Sequence, residues 1–370
     1  MRAVVVGGGL MGSAMAFELS RRQIETIVFD RQDLGRATSA GAGILSGATS
    51  GVSDTAYHEL AVGAHDYYRA LVRLLSAEAI GYGAAGLALV ALDGDEDAFQ
   101  RARAALIGRA ADVVDMEPVE LQRRFPAIGP VIGALYHADG ARVDGRLLET
   151  RLRAAAEALG ARFIRQDVAA LDAGDGGVFG VYGTEGPVAA DAVVVAAGAW
   201  SSRLLQAVAS TVPVLPHRGQ IVHVDLEAAQ GDPWPILEGF RGHYILPWPD
   251  GHIVAGATRE AGSGYAPWLT AGGQAEVLAE MFRVAPGLKS AVVREWRVGL
   301  RPASADGRPL LGAVANVPGL YTITGHGAGG LLLGPYSAHL VAAQISGADP
   351  VLDLSPFRPD RDVRPHTDLH

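Results

Sequence analysis

The chain has 370 residues, 49% of them hydrophobic and 19% charged, a composition of globular proteins at a length that exceeds a single core. A net charge of −9 leaves no cationic excess for a nucleic-acid partner, and with Lys289 as the only lysine nearly all cationic chemistry falls to arginine. The absence of cysteine excludes disulfides, thiolate catalysis, Cys-ligated metals and a thioether-tethered cofactor, and without a signal-like or bilayer-length apolar run the expected location is cytoplasmic.

The β-forming run Ala3-Val4-Val5-Val6 enters Gly7-Gly8-Gly9-Leu10-Met11-Gly12, an Ala/Met/Leu-rich helical stretch follows to Arg22, and a second apolar run, Thr26–Phe29, ends at Asp30. This is a G-x-G-x-x-G turn inside a βαβ unit closed by an acid. Gly7 permits the tight turn, Gly9 lets a pyrophosphate approach the backbone, and Gly12 lets helix and strand pack closely. The helix start offers free N–H groups to phosphates, and Asp30 can accept from both ribose hydroxyls. The unit predicts dinucleotide binding.

After the small-residue loop Gly35–Ser53, residues Tyr57, Leu60, Ala61, Ala64, Tyr68, Leu71 and Leu75 recur at helical spacing. Acids at Asp93–Asp97 precede a helix predicted over Ala98–Ala111, and Asp144 caps one running to Leu159, with Gly160 at the stop. Strand-like runs follow at Arg162–Gln166, Val178–Tyr182 and Ala192–Ala197. From Val212 to Leu300 the character changes: Ile221–Val224, His243–Pro247, Ile253–Ala257 and Val292–Val298 read as an antiparallel sheet, with one helix near Gln274–Phe282. The dinucleotide-domain pattern returns with strand Leu320–Thr324 and a helix from about Gly330 to Ser346. No histidine pair has metal-ligand spacing, and no nucleophile elbow is present.

Five stretches, in order, resemble the D-amino-acid oxidase family of flavoproteins, most closely its glycine oxidase branch with the related sarcosine oxidases and D-amino-acid dehydrogenases. They are Gly7–Gly12 with Asp30; the loop Gly35–Leu45; Asp191–Trp200; Gly299-Leu300-Arg301-Pro302 with Asp306–Gly312; and Gly325–Pro335. The first stretch does not separate FAD from NAD; the other four carry the assignment of FAD, held without a covalent bond. The resemblance implies an α/β fold: a Rossmann-type FAD-binding domain from residues 1–80, 141–211 and 300–365, with an inserted, mostly antiparallel sheet domain for substrate from 81–140 and 212–299. It also implies cofactor contacts from Gly7, Gly9, Leu10, Met11, Gly12, Asp30 and Arg31; from Thr38, Ser39, Gly43, Ile44 and Leu45; from Val168, Ala197, Gly198 and Trp200; and from Arg301, Gly327, Gly329, Gly330, Leu331 and Leu332.

In the family, the arginine of Gly-Leu-Arg-Pro binds an amino acid's carboxylate, so Arg301 is the expected clamp. As a bare residue it reads first as a surface or domain-interface ion pair. Tyr244 matches a family tyrosine that meets the same carboxylate; by itself it reads as core. His326, in the flavin-edge stretch, is a hydrogen-bond partner or a packed neutral histidine. Two departures stand out. Ala328 replaces a second arginine carried by some glycine oxidases, and Arg259 replaces an often apolar residue; it either receives a polar substrate group or is a solvated strand end.

The expected activity is FAD-dependent oxidation of the Cα–N bond of a small amino acid or N-alkyl glycine. Oxygen or another electron acceptor would reoxidise the flavin, and a homo-oligomer is left open. The alternatives are 2-hydroxy acid oxidation with His326 as base, or a flavin-binding or assembly protein without turnover. Side chain, enantiomer and acceptor are not encoded in any motif.

Overall fold

Ala3–Val6 has no polar side to show, and it becomes the centre of a parallel sheet covered on both faces. Ala3, Val4 and Val5 are fully buried. The computed structural model describes residues 1–51, 53–108, 112–208, 214–231 and 234–363. In it, strand Arg2–Val6 lies between Glu25–Phe29 and Ala192–Val195. Arg162–Ile164 extends one side and Leu320–Thr324 the other, with Leu310–Ala313 antiparallel at the edge. Alternation assigns the two faces. Ala3 and Val5 pack with helices Leu10–Arg21, Thr55–Leu75, Gly145–Ala158 and Gly330–Ile345, while Val4 and Val6 pack with the antiparallel strands Val168–Gly174 and Gly177–Gly183.

A second sheet of eight strands runs in the order Val292–Ser304, Val214–Gln230, Asp250–Gly256, Tyr244–Pro247, Ile236–Gly239, Leu87–Ala91, Gly133–His137, Val113–Met116. All neighbours are antiparallel except Ile236–Gly239 with Leu87–Ala91. The last three strands in that order were not evident in the periodicity, because they are short: two are buried almost throughout, and Val113–Met116 exposes its two middle residues in place of alternating. The expected short strand Ile221–Val224 is part of one 17-residue strand.

A strand was expected over Val292–Val298. Instead the strand continues to Ser304. Pro302 lies directly opposite Pro216, at a pair where neither strand needs the other's N–H, and on an edge strand where proline is tolerated. The loop Gly35–Ser53 also holds structure: a 3₁₀ turn, Ala37–Ala40, and strand Ile44–Leu45, which pairs with Ala141–Arg142.

The predicted helices form with small shifts. Asp144 caps Gly145–Ala158 by accepting from Arg146 N at 2.8 Å and Leu147 N at 3.0 Å. The acidic-start helix spans Glu96–Leu106, shorter than expected; residues 109–111, on which its predicted end fell, lie outside the described residues, as do the segment bounds at 211, 212 and 365. Among the described residues no helix is long and apolar enough to cross a membrane.

Helix Gly330–Ile345 carries Pro335 in its second turn. Proline has no N–H, so the carbonyl of Leu331 loses its helical donor. The buried Tyr68, from the helix Thr55–Leu75, supplies the missing hydrogen bond through its hydroxyl. Tyr68→Phe should therefore destabilise the fold by about 1–3 kcal/mol, the cost of leaving a buried acceptor unpaired. Urea unfolding of the two proteins measures it, and equal midpoints and slopes would show that the carbonyl is satisfied some other way.

Candidate functional site

The two sheets meet around one cavity of about 1130 Å³, which extends from Asp30 to Arg301 and Tyr244. Its first end is built by the βαβ turn. Gly7 has φ +104°, and a Cβ there would overlap the carbonyl of Ala196; a Cβ at Gly12 would overlap the carbonyl of Gly7. Both glycines are demanded by the protein itself. Gly8 is demanded too, since its Cβ would lie 2.8 Å from that of Asp30.

Gly9 differs. A Cβ there would meet only Thr38 Oγ1, at 3.4 Å, an ordinary contact, and its φ of −69° suits any residue. No protein neighbour requires the glycine, so the space it leaves faces the cavity. Leu10 N–H donates to Thr38 Oγ1 at 3.1 Å, and the next turns of the helix start are open to an anion. Gly198 and Gly327, at φ +53° each, likewise have no atom within 4 Å of an added Cβ and line the same cavity. The helix Gly330–Ile345 begins there without a side-chain cap. A glycine cradle with an uncapped helix start at each end suits an extended dinucleotide with a pyrophosphate and a charge-accepting ring.

Most of the expected contact residues line this cavity: Gly7, Gly9, Leu10, Met11, Asp30, Arg31, Thr38, Gly43, Ile44, Val168, Ala197, Gly198, Trp200, Arg301, Gly327, Gly329, Gly330, Leu331 and Leu332. Three do not. Gly12 acts in helix–strand packing, Ser39 turns its hydroxyl to the Arg36 carbonyl at 2.9 Å, and Leu45 is fully buried in the core. Asp30 is held by Arg36 Nη1 at 3.3 Å and Gln32 N at 3.3 Å. Arg31 is an ion-pair partner of Asp33 and Asp167.

At the other end, Arg301 donates to the Thr258 carbonyl at 2.8 Å. Thr258 is itself fixed, since its hydroxyl accepts from Gln220 N at 3.0 Å and donates to Glu260 at 2.7 Å. A Cβ at Gly219 would run into the guanidinium, so glycine there makes the room. Among the described residues no carboxylate pairs with Arg301. Burial, followed by the neighbouring Arg259, holds its pKa below the usual value, although it stays charged.

Burial pushes the Tyr244 phenol up to about 12, against the pull of Arg301 and Arg259, and its hydroxyl has no hydrogen-bond partner among the described residues. Arg259 also lines the cavity, exposed, with one N–H to the Gly242 carbonyl at 3.2 Å. His326 lines the same cavity but is buried, its Nε2 is 3.2 Å from Ser337 Oγ, and burial holds it down to about 3. It is a neutral packed histidine.

Sequence reasoning missed two features. Glu238, on strand Ile236–Gly239, lines the cavity with no hydrogen-bond or ion-pair partner among the described residues; its neighbours in sequence form no motif, and only the pairing of strands brings it to the site. Ser46, also in the wall, is 2.9 Å from His137 Nδ1, and His137 Nε2 is 2.7 Å from Asp112, a half-exposed carboxylate. Ninety-one residues separate Ser46 from His137, beyond the reach of any local pattern.

Comparison with known proteins agrees with this geometry. Residues 2–344 match the family model of the DAO, FAD dependent oxidoreductases, and the chain belongs to that family; FAD is its cofactor. It is 34% identical to a glycine oxidase of Pseudomonas putida, over 97% of this chain and 98% of that protein. It is 35% identical to the uncharacterized oxidoreductase YurR of Bacillus subtilis, over 96% and 98%. The crystal structure of iminodiacetate oxidase from Chelativorans sp. BNC1 superposes with a TM-score of 0.91 at 34% identity, covering 97% of this chain and 99% of that one.

The glycine geometry makes a paired test. Gly9→Ala should leave the apoprotein's unfolding midpoint within about 0.5 kcal/mol of the parent, while FAD dissociates more readily in fluorescence titration. Gly12→Ala should compromise the fold itself. Equal FAD affinity in Gly9→Ala would remove the cradle from the cofactor site.

Proposed function

We propose that this protein oxidises the Cα–N bond of a small amino acid or N-alkyl glycine to an imine, which water hydrolyses to a 2-oxo acid and ammonia or an amine. One observation carries the reading: Arg301 presents a guanidinium, with no carboxylate partner among the described residues, to the same cavity as the glycine cradle. A planar two-point donor in such a place is matched by a substrate carboxylate. The names of the two enzymes above support it, since glycine and iminodiacetate both place nitrogen one carbon from a carboxylate.

Arg301 and the Tyr244 hydroxyl hold the carboxylate, with the Thr258 carbonyl and Gly219 setting the guanidinium's direction. That anchoring fixes the Cα–H, and orientation is most of what such a reaction requires. FAD, held by the glycine cradle, would supply the two-electron acceptor for that Cα–H. Arg259, on the open side, supports a substrate with a second polar or anionic group. Oxygen or another acceptor then completes the cycle. A hydroxy-acid reaction would need a general base where His326 stands, and an imidazole that burial holds down to about 3 is a weak proton acceptor.

The flavin is held without a covalent bond, in keeping with a cysteine-free chain. Acid precipitation should leave FAD in the supernatant, whereas a yellow pellet would show a histidyl or other link.

Arg301→Ala should lower kcat/KM for an amino-acid substrate by about 2–5 kcal/mol, the scale for losing one side of a desolvated charge pair. Arg301→Lys should restore only part, because an ammonium lacks the planar fork. Both variants should retain FAD, and carboxylate inhibitors should weaken in parallel. Kinetics near those of the parent in Arg301→Ala would move the carboxylate site elsewhere.

A further inference from the structure

Resting on the amine-oxidising reading, we propose that Glu238 is the cation side of the substrate site: it pairs with the substrate ammonium and accepts a proton from it. Hydride loss from Cα needs the nitrogen lone pair, which an ammonium does not have. The site therefore requires a proton acceptor, and the residues first assigned to it supply none.

The strand register places Glu238 in that role. It lies directly opposite Tyr244 on one side and Leu89 on the other, all three lining the cavity. Opposed residues of neighbouring strands share a face, with Cβ atoms about 4.5–5.5 Å apart. The carboxylate therefore stands beside the tyrosine that faces Arg301. Among the described residues it makes no hydrogen bond and no ion pair.

The groups around it are accounted for. Leu89 does not titrate, Tyr244 stays a neutral phenol, and Arg259 is the one charge that pulls its proton off. His243 points its Nε2 to Glu276, 3.3 Å away. Burial prevails over Arg259 and pushes Glu238 up to about 7.

An unpartnered carboxylate in such surroundings is costly unless a cation arrives. An amino acid bound through Arg301 brings one. In the transfer, one N–H bond breaks and its electron pair stays on nitrogen, while an O–H bond forms on Glu238; ammonium and carboxylate become amine and carboxylic acid. The same burial that raises a carboxyl lowers an ammonium, so the two approach each other in proton affinity.

The test uses the FAD-loaded protein and two readouts. In the first, kcat/KM is followed against pH with an amino acid that reduces the flavin. The parent should rise through about pH 7 as Glu238 ionises, then level off. Glu238→Gln should be about 100-fold or more slower near neutrality, as for loss of a general base, and should lack that rise. Its efficiency should grow only as the amine loses its own proton, so the two profiles converge at high pH. Glu238→Asp should recover part of the deficit.

The second readout is calorimetric binding at pH 8 of 2-aminoisobutyrate, which has no Cα–H to lose, against pivalate, which carries a methyl in place of the amine. The parent should prefer the amino compound; Glu238→Gln should lose most of that preference and bind pivalate as before, which also shows the site intact. A parent with no preference, or a variant that keeps both preference and pH profile, overturns the proposal. A parent that prefers the ammonium yet has its flavin reduced by no amino acid would overturn the reaction while leaving the cation site standing.

Discussion

The strand that carries Arg301 and the loop that passes the dinucleotide are joined by one backbone hydrogen bond, Leu300 N–H to the Gly35 carbonyl at 2.8 Å. Beside it, a Cβ on Gly299 would lie 2.9 Å from that of Ala40, so only glycine lets strand and turn come this close. This contact sets the spacing between cofactor end and substrate end. A shift of about 1 Å between the two would cost an oriented reaction heavily. Gly35–Ala40 also positions Thr38 over the first helix and Arg36 over Asp30. The Gly-Leu-Arg-Pro stretch is thus a spacer as well as a source of the guanidinium: glycine sets the approach, leucine the hydrogen bond, arginine the charge.

Around that spacer the protein keeps groups in states they would not choose in water. Among the described residues, Arg301 is charged and without a carboxylate, and the Tyr244 phenol and the Glu238 carboxylate have no hydrogen-bond partner. Each is tolerated because rigid neighbours hold it. The Gln220–Thr258–Glu260 network fixes the carbonyl that Arg301 bonds. The pairing of Ile236–Gly239 with Tyr244–Pro247 aligns an acid with a phenol. Other arginines have carboxylate partners: Arg308 clasps Asp54 at 2.6 and 2.9 Å, and Arg361 clasps Asp306 at 2.7 and 2.8 Å, both acids being part of the cavity wall. Those pairs hold the scaffold, whereas Arg301 faces the cavity with no carboxylate partner among the described residues.

Local rules served well where a feature is local. The βαβ turn, the Asp144 cap and the final strand and helix all follow from spacing within about a dozen residues, as helical and strand periodicity predicts. The same rules fell short at Leu87–Ala91, Val113–Met116 and Gly133–His137, whose short runs lack strict alternation. They also fell short at Arg301, where the strand runs on through Pro302 because an edge position opposite Pro216 asks nothing of either N–H. Ser39 and Leu45 sit in a stretch of the right kind but face away from the cavity, since the 3₁₀ turn and the short strand that follows set which side chains look inward.

By itself the sequence determined the dinucleotide turn, the need for glycine at Gly7 and Gly12, and the order of elements that brings the first domain back at its end; these depend on bonds and spacings within one segment. Only the tertiary structure decided that Gly8 yields to Asp30, that His326 is packed against Ser337, and that Glu238 faces the cavity beside Tyr244. The physical reason is that charge and proton affinity depend on what surrounds a group, and those surroundings come from strands far apart in the chain. A glutamate on an exposed turn and one walled in by three strands are the same letter.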